Sequence, residues 1–575
     1  MHDQSALSPM QAVPCREHGA PAWSERLKRV TAFLYFTSLA SLAMSDSTPR
    51  KPGLLRSYPR AFWTANVMEI FERMSWYGFY AVSSLYLTGN IDEGGLGFSS
   101  EDRGVIQGLS TFFLYLFPAV FGAIADRYGY KRMLLASCAV MFPAYLLLQL
   151  PTTFYGFFGV YILVAIGHGM FKPVVLSTIA RCTNPKTASM GFGIFYMMVN
   201  VGGFIGPIIA GVVRGWSWSY VFIASASWIV VLALTCLFFY KEPPVQMDEG
   251  SSTTPKIKSQ QSLSAVMQGM ISVVGNGRFF LLVVGLLCVL VMGSKYWNIE
   301  TCAIAAVSWL SSNLLLDVFL RARSRSSSSP LRTHKDRFLQ PMRIGEGRYM
   351  LFLLLMAGFW TSFNQIFMTL PEYIRDYGQT EDLVASLTPA ANSFASVLEA
   401  MGIDTSGFSK AALVKGKVKP EFLINLNALG IILGQLMISF LMRNIKPLST
   451  IVNGVLVTIV SFIILDTGES GATIAFAILV FSVGEMMASP KAKEYAGRLA
   501  PPDKVAMYMG YFFWCTALGN LFGGLLSGAM YQHYGPKGID DPGQMWYIFA
   551  ALGGTTAVSL KIYDRWIHRN PPKPA

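Results

Sequence analysis

The chain has 575 residues, 53% of them hydrophobic and 14% charged, whereas soluble domains carry about a quarter charged residues. With a mean hydropathy of +0.42, this composition excludes an ordinary soluble enzyme and points to lipid as the solvent. The net charge of +13 does not indicate nucleic acid, because the basic residues sit in short loops between apolar blocks, as the positive-inside rule expects.

Those blocks have the length of membrane-crossing helices, about 20 apolar residues each, and lack the period-2 alternation of barrel strands. Residues 1–45 read as a non-conserved or disordered extension. Arg26–Arg29 precede a 14-residue apolar run, Val30–Ala43, similar to a signal h-region. A span there would break the charge alternation described below, so Met44 is a candidate true start, and a cleaved or interfacial segment is the alternative. About fourteen spans follow, at roughly 61–87, 104–125, 132–150, 155–179, 189–212, 219–240, 279–294, 302–320, 348–370, 420–441, 446–466, 472–494, 505–530 and 545–563. The seventh is short and is closed by Lys295.

Orientation follows from Lys and Arg. Arg56 and Arg60 precede the first span, Arg127, Lys131 and Arg132 follow the second, Arg181 and Lys186 the fourth, and Lys241 the sixth. Odd-numbered loops carry acids instead: Asp92 and Glu93, Asp466 and Glu469, Asp540 and Asp541. Both termini are therefore expected in the cytoplasm, and the loop of roughly 371–419 outside. The domain reading is a six-helix bundle over 60–240, a linker over 241–345 with an extra helix pair, a second six-helix bundle over 346–565 and a tail at 566–575. Arg321–Pro330 reads as a low-complexity linker. The seven cysteines are scattered and show no metal-ligand spacing.

The first span carries Glu69, Glu72 and Arg73, whose i, i+3, i+4 spacing places all three on one helix face. Tyr77 and Tyr80 continue along it. Each such charge costs roughly 2.5–3.5 kcal/mol at mid-membrane, so the three must be partnered and face a watery cavity. A structural ion-pair lock is the blander alternative. The fourth span offers Lys172 as a partner, inside Gly167-His168-Gly169-Met170-Phe171-Lys172-Pro173. His168 lies one turn before Lys172 and reads as a hydrogen-bonded structural histidine.

Glu69-Ile-Phe-Glu72-Arg73-Met-Ser-Trp-Tyr77-Gly78 resembles the E-x-x-E-R-F-x-Y-Y-G signature of the proton-dependent oligopeptide transporters. Gly167–Pro173 resembles their fourth-helix G-x-G-x-x-K-P, and Phe195-Tyr196-Met-Met-Val-Asn200-Val-Gly202 their fifth-helix F-Y-x-x-I-N-x-G. Gly122–Arg132 is similar to the general major-facilitator loop motif. Phe359-Trp360, Asn425-Leu-Asn427 and Gly484-Glu485 with Ser489-Pro490 are similar to second-half motifs.

The resemblance covers roughly 55–565 and implies an all-α major facilitator fold: two six-helix bundles and an extra helix pair. It further implies a proton-coupled symporter that imports di- or tripeptides by alternating access. Glu69, Glu72 and Arg73 would couple protons together with Lys172. Tyr77, Tyr115, Lys172 and Asn200 would line the peptide site in the first half; Trp360, Asn427, Glu485 and Trp514 would line it in the second, with Glu485 meeting the substrate ammonium. The implied partners are a small zwitterionic peptide, protons and the bilayer of a cytoplasmic membrane, with no nucleic acid, no metal, no cofactor beyond the proton gradient, and a monomeric state. No G-x-S-x-G, H-E-x-x-H or Walker-type loop suggests an enzyme. Two departures stand out. The family's first-helix Arg is Tyr80 here, and its seventh-helix acid is Asn364. Their joint loss removes an outer ion pair without stranding either half, and it motivates the alternative of a same-fold carrier for another small organic solute with altered coupling.

Overall fold

A computed structural model describes residues 58–183, 187–243, 277–297, 299–326, 347–386, 388–389, 413–414, 416–499 and 505–569. The N-terminal extension, most of the linker and most of the expected external loop lie outside the described residues.

The first bundle comprises α1 (Arg60–Thr88), α2 (Ser100–Leu116), α3 (Pro118–Tyr128), α4 (Tyr130–Leu147), α5 (Phe154–Arg181), α6 (Ala188–Val213) and α7 (Trp218–Phe239). The extra pair is α8 (Gly277–Tyr296) and α9 (Ile299–Ser326). The second bundle begins with one broken passage, α10 (Gly347–Phe363), α11 (Gln365–Met368) and α12 (Leu370–Asp376). A two-residue hairpin, β1 (Leu413–Val414) with β2 (Lys417–Val418), leads to α13 (Pro420–Ile424) and α14 (Leu426–Leu441). The chain closes with α15 (Pro447–Asp466), α16 (Gly471–Leu499), α17 (Val505–Tyr534) and α18 (Gly543–Arg569). Helix overlies every one of the fourteen expected segments. Among the described residues ten are both long and apolar enough to cross a membrane. Passage one, α1, is outside that set although it is 29 residues long. Its intramembrane charges lower its hydropathy.

Local chemistry explains the breaks. The Ser99 side chain accepts from the Asp102 amide at 3.0 Å and starts α2. Pro118 sits in the first turn of α3 and splits the second passage there. Gly129 has φ +96° between α3 and α4, a left-handed corner that admits glycine cheaply. A Cβ there would also meet Glu242 at 3.1 Å. That carboxylate accepts from the Lys131 amide at 2.7 Å, so the loop motif is tied to the end of α7.

Three boundaries differ from the sequence reading. The ninth passage does not stop at 370: Pro371, Glu372, Tyr373 and Ile374 are helical and buried. Proline opens a fresh turn here, and Glu372 is tolerated because it is paired. The helix α9 continues through Arg321–Ser326, into the expected linker, with Arg321 Nε 2.7 Å from Asp317 one turn back. The helix α18 runs to Arg569, past the expected start of the tail.

All these helices belong to one unit, Pro59–Ala575. Within the first bundle α1 packs on α6 and α7, α4 on α5 and α7, and α2 on α5. Within the second, α15 packs on α16 and α18, α10 on α17 and α18, and α14 on α16. Across the halves α2 packs on α17 and α6 on α14. The distribution of polarity is that of a membrane protein. Leu436, Leu433, Leu315, Phe239 and Phe238 are among the most exposed side chains, whereas Glu72, Arg103, Glu372 and Glu421 are fully buried. Lipid, being as apolar as leucine, gives the bundle no reason to hide its leucines.

Candidate functional site

The site is built on α1. The close approach of α6 fixes its rotation: a Cβ on Gly202 would lie 2.5 Å from the Ile70 carbonyl oxygen, and one on Gly206 2.6 Å from that of Met74. This turns Glu69, Glu72 and Arg73 into the first bundle, where all three are buried. Arg73 donates to Glu72 through Nε and Nη2, and its Nε lies 3.1 Å from Glu69 Oε1. One guanidinium therefore serves two carboxylates. His168 on α5 completes the cluster, with Nδ1 2.6 Å from Glu72 Oε1 and Nε2 2.8 Å from the Tyr145 hydroxyl of α4. Trp76 lies edge-on to the imidazole at 5.1 Å.

Lys172 makes no direct contact with the two carboxylates. Its Nζ stands 4.1 Å from the centre of the Tyr115 ring, and no salt bridge joins it to Glu69 or Glu72 among the described residues. The ring face supplies a favourable site for an ammonium, and the lysine is left free to take another anion. Tyr77 lies beside Arg73, the guanidinium carbon 5.6 Å from its ring centre. Asn200 donates to the Tyr196 carbonyl of its own helix at 2.9 Å. Tyr77, Tyr115, Lys172 and Asn200 are all only half-buried although they lie within membrane passages.

In the second half, Glu485 of α16 accepts from Asn427 of α14 at 3.0 Å, and Asn427 also donates to Ser482 at 3.1 Å. No cation pairs with Glu485 within salt-bridge distance among the described residues. The indole N–H groups of Trp360 and Trp514 are buried without a hydrogen-bond partner. Lys493, two turns beyond Glu485, stands 5.2 Å from the ring centre of Tyr196 on α6. The sequence reading passed over it. Its i+8 spacing from Glu485 was the available signal.

The halves are latched at the end of the bundle that carries the expected external loops. Arg103 Nε on α2 is 2.8 Å from Glu372 Oε1 on α12, and neither side chain is exposed. Arg103 also donates from Nη2 to Glu372 at 3.1 Å and from Nη1 to Ser527 at 2.7 Å. Ser100 and Thr88 donate to the same carboxylate. A second tie joins Arg214 to Glu421 at 3.1 Å, with Lys419 donating to the Gly211 carbonyl at 2.8 Å. Tyr80 and Asn364 take no part. Tyr80 stacks on Trp76 at 5.2 Å, and the Asn364 amide Nδ2 is buried without a partner. The missing ion pair is thus not left open; a buried pair one helix along closes the same end. Glu372 falls in the segment that the sequence pattern marks as an external loop, which hides its pairing.

Between α2 and α17 runs a seam of facing glycines. A Cβ on Gly104 would lie 2.3 Å from the Gly524 carbonyl oxygen and 2.9 Å from the Gly528 Cα, and one on Gly108 3.0 Å from the Leu521 carbonyl oxygen. The spacing is small-x-x-x-small on both helices, Gly104/Gly108 and Gly524/Gly528.

Two six-helix halves, a buried charge cluster in one and a free carboxylate in the other define a secondary transporter. The Major Facilitator Superfamily model matches residues 66–409 and 418–575, and the chain belongs to that superfamily. Within it the chain is similar to peptide transporters. It is 23% identical over 480 residues to the peptide transporter YePEPT of Yersinia enterocolitica, covering 80% of this chain and 86% of that one. Dipeptide and tripeptide permease B of Xenorhabdus bovienii is 29% identical over a shorter stretch, 26% of this chain and 32% of the permease. The fold matches a crystal structure of the peptide transporter POT in complex with sulfate at TM-score 0.60 and 19% identity, covering 89% and 95% of the two chains. It also matches a POT family transporter in complex with a thioalcohol-conjugated peptide at TM-score 0.60 and 20% identity, covering 90% and 100%.

Proposed function

We propose that the protein is a proton-coupled symporter that imports di- or tripeptides across the cytoplasmic membrane by alternating access, with both termini in the cytoplasm. The observation that carries this is the division of charge: among the described residues Lys172 meets a ring face and no anion within salt-bridge distance in the first half, and Glu485 meets a neutral amide and no cation within salt-bridge distance in the second. A zwitterion satisfies both, carboxylate to Lys172 and ammonium to Glu485, while the unpartnered Trp360 and Trp514 N–H groups suit peptide carbonyls. The relatives named as peptide transporters and di- and tripeptide permeases support the substrate class. The Glu69–Arg73–Glu72 cluster couples the proton, because a buried carboxylate pair on one cation has one negative charge in excess.

The test is uptake by reconstituted proteoliposomes from a panel of peptides of one to four residues, with and without an inward proton gradient. Gradient-dependent accumulation of di- or tripeptides alone is the expected result. Accumulation of a different organic solute in preference to every peptide overturns the substrate assignment. Single-cysteine labelling at 250, 395 and 570 tests orientation, with only 395 expected to react from outside.

A further inference from the structure

Within salt-bridge distance among the described residues, the Arg73 cluster holds one guanidinium for two carboxylates. Glu69 and Glu72 are both buried and share a single guanidinium, while Lys172 rests on Tyr115. An uncompensated charge in a desolvated site costs several kcal/mol, so the cluster in this arrangement calls for a proton. Glu69 is poorly placed to hold it. The hydrogen bonds and ion pairs among the described residues give its carboxylate one neighbour, Arg73, and that neighbour is a donor. A carboxylic O–H on Glu69 would have no acceptor there, and a buried donor left unsatisfied is costly.

We propose that His168 carries the transported proton, as an imidazolium held between the Glu72 carboxylate and the Tyr145 hydroxyl. This rests on the symport reading above and names the atom on which it turns. The geometry serves both protonation states without moving a heavy atom. With the imidazole neutral, Nδ1–H donates to Glu72 Oε1 and Nε2 accepts from the Tyr145 O–H. When the proton arrives it forms an N–H bond at Nε2, and the Tyr145 hydroxyl rotates to accept from it. Release reverses the step; no bond between heavy atoms forms or breaks.

Each element packed on α5 is accounted for. From α1 come Glu72, with Arg73 and Glu69 behind it, and Trp76. From α4 comes Tyr145. From α2 comes Tyr115, which holds Lys172. From α3 comes Asp126, which meets Arg181 at 3.4 Å far along α5. From α6 come Asn200 and Tyr196, bonded to each other along their own helix. On α5 itself Lys172 lies one turn beyond His168.

That last placement supplies the coupling. If Lys172 leaves Tyr115 for the carboxylates, it brings the missing positive charge and the imidazolium gives up its proton. A peptide carboxylate that engages Lys172 keeps it away and keeps the proton on His168. Substrate and proton then load together.

The test uses the full-length transporter in nanodiscs with 15N-labelled histidine, the His168 signal being assigned by its loss in His168→Asn. The expected result is protonation of His168 within the pH range over which gradient-driven uptake operates, with a midpoint that is lower in Tyr145→Phe, which removes the acceptor, and in Glu72→Gln, which removes the counter-charge. In proteoliposomes, the ratio of gradient-driven accumulation to counterflow exchange should fall at least ~10-fold in His168→Asn. A His168 that stays neutral across that range, or a midpoint indifferent to both substitutions, overturns the proposal. So does a His168→Asn variant with an undiminished ratio. If no peptide is moved by any variant yet His168 titrates and both substitutions lower its midpoint, the peptide reading fails and this inference stands.

Discussion

Replacing Arg103 by glutamine should open the latched end of the transporter. The Arg103–Glu372 pair is fully buried, with Nε 2.8 Å from one carboxylate oxygen and Nη2 donating to the other at 3.1 Å; Arg103 also donates to Ser527, and Ser100 and Thr88 donate to the carboxylate. Removing one partner from such a pair costs about 3–5 kcal/mol, because the other charge is left buried and alone. The pair joins α2 of one half to α12 of the other, so the cost falls on the state in which the halves are closed here. When they part, water reaches both groups and the penalty disappears. At 1.4 kcal/mol per tenfold, the closed state should lose roughly two to three and a half orders of magnitude in population relative to the open one. Spin labels at Asp92 and Glu381, exposed residues of opposite halves at that end, report the change by electron-electron double resonance. Arg103→Gln and Glu372→Gln should each shift the distance distribution outward. The charge-swapped double, Arg103→Glu with Glu372→Arg, should recover part of the shift. An unchanged distribution in Arg103→Gln, or single effects that simply add in the double, would refute the latch.

Three other outcomes follow from the site. Glu485→Gln should raise KM roughly 10–100-fold for peptides with a free amino terminus, the worth of one charge-assisted hydrogen bond, and leave N-acetylated peptides little affected; competition assays measure the ratio. Glu72→Gln should lower the ratio of gradient-driven uptake to counterflow at least ~10-fold, since it removes the counter-charge that holds the proton on His168 whereas exchange needs no proton; equal loss of both processes would place Glu72 in peptide binding instead. Gly524→Val should lower the melting temperature in detergent and widen the same label distances, because its Cβ would lie 2.4 Å from the Gly104 carbonyl oxygen. Gly554→Ala, where a Cβ meets nothing within 4 Å, serves as the silent control.

Much of the fold is written in local pattern. Long apolar blocks separated by basic and acidic loops specify helices and their alternation, and the lipid requirement for internally bonded backbone leaves few other options. The Glu69–Glu72–Arg73 face was legible for the same reason: three charges at helical spacing inside an apolar run have little other explanation. What the sequence could not reveal was pairing at a distance. Lys172 sits one turn from His168 and looks like a partner for the carboxylates, yet the Tyr115 ring on another helix holds it. Arg103 and Glu372 are 269 positions apart. Each looks like a loop-proximal charge until α2 and α12 are brought together. One histidine in a glycine-rich turn of helix, such as His168, gives no hint in the sequence of what stands at its two nitrogens.

The glycine seam between α2 and α17 bears on how fast the halves can exchange partners. Side chains that interdigitate must find new rotamers whenever an interface parts and re-forms, and each such choice carries an entropic toll. Where Gly104 and Gly108 face Gly524 and Gly528, backbone lies against backbone and there are no rotamers to choose. Such a contact acts like a polished bearing surface: it can slide or separate and then reseat without sorting conformations. The strongly directional part of the closure is left to a few discrete bonds at its rim. Transport rate in this protein should then be governed by the making and breaking of those few bonds rather than by repacking along the length of the helices.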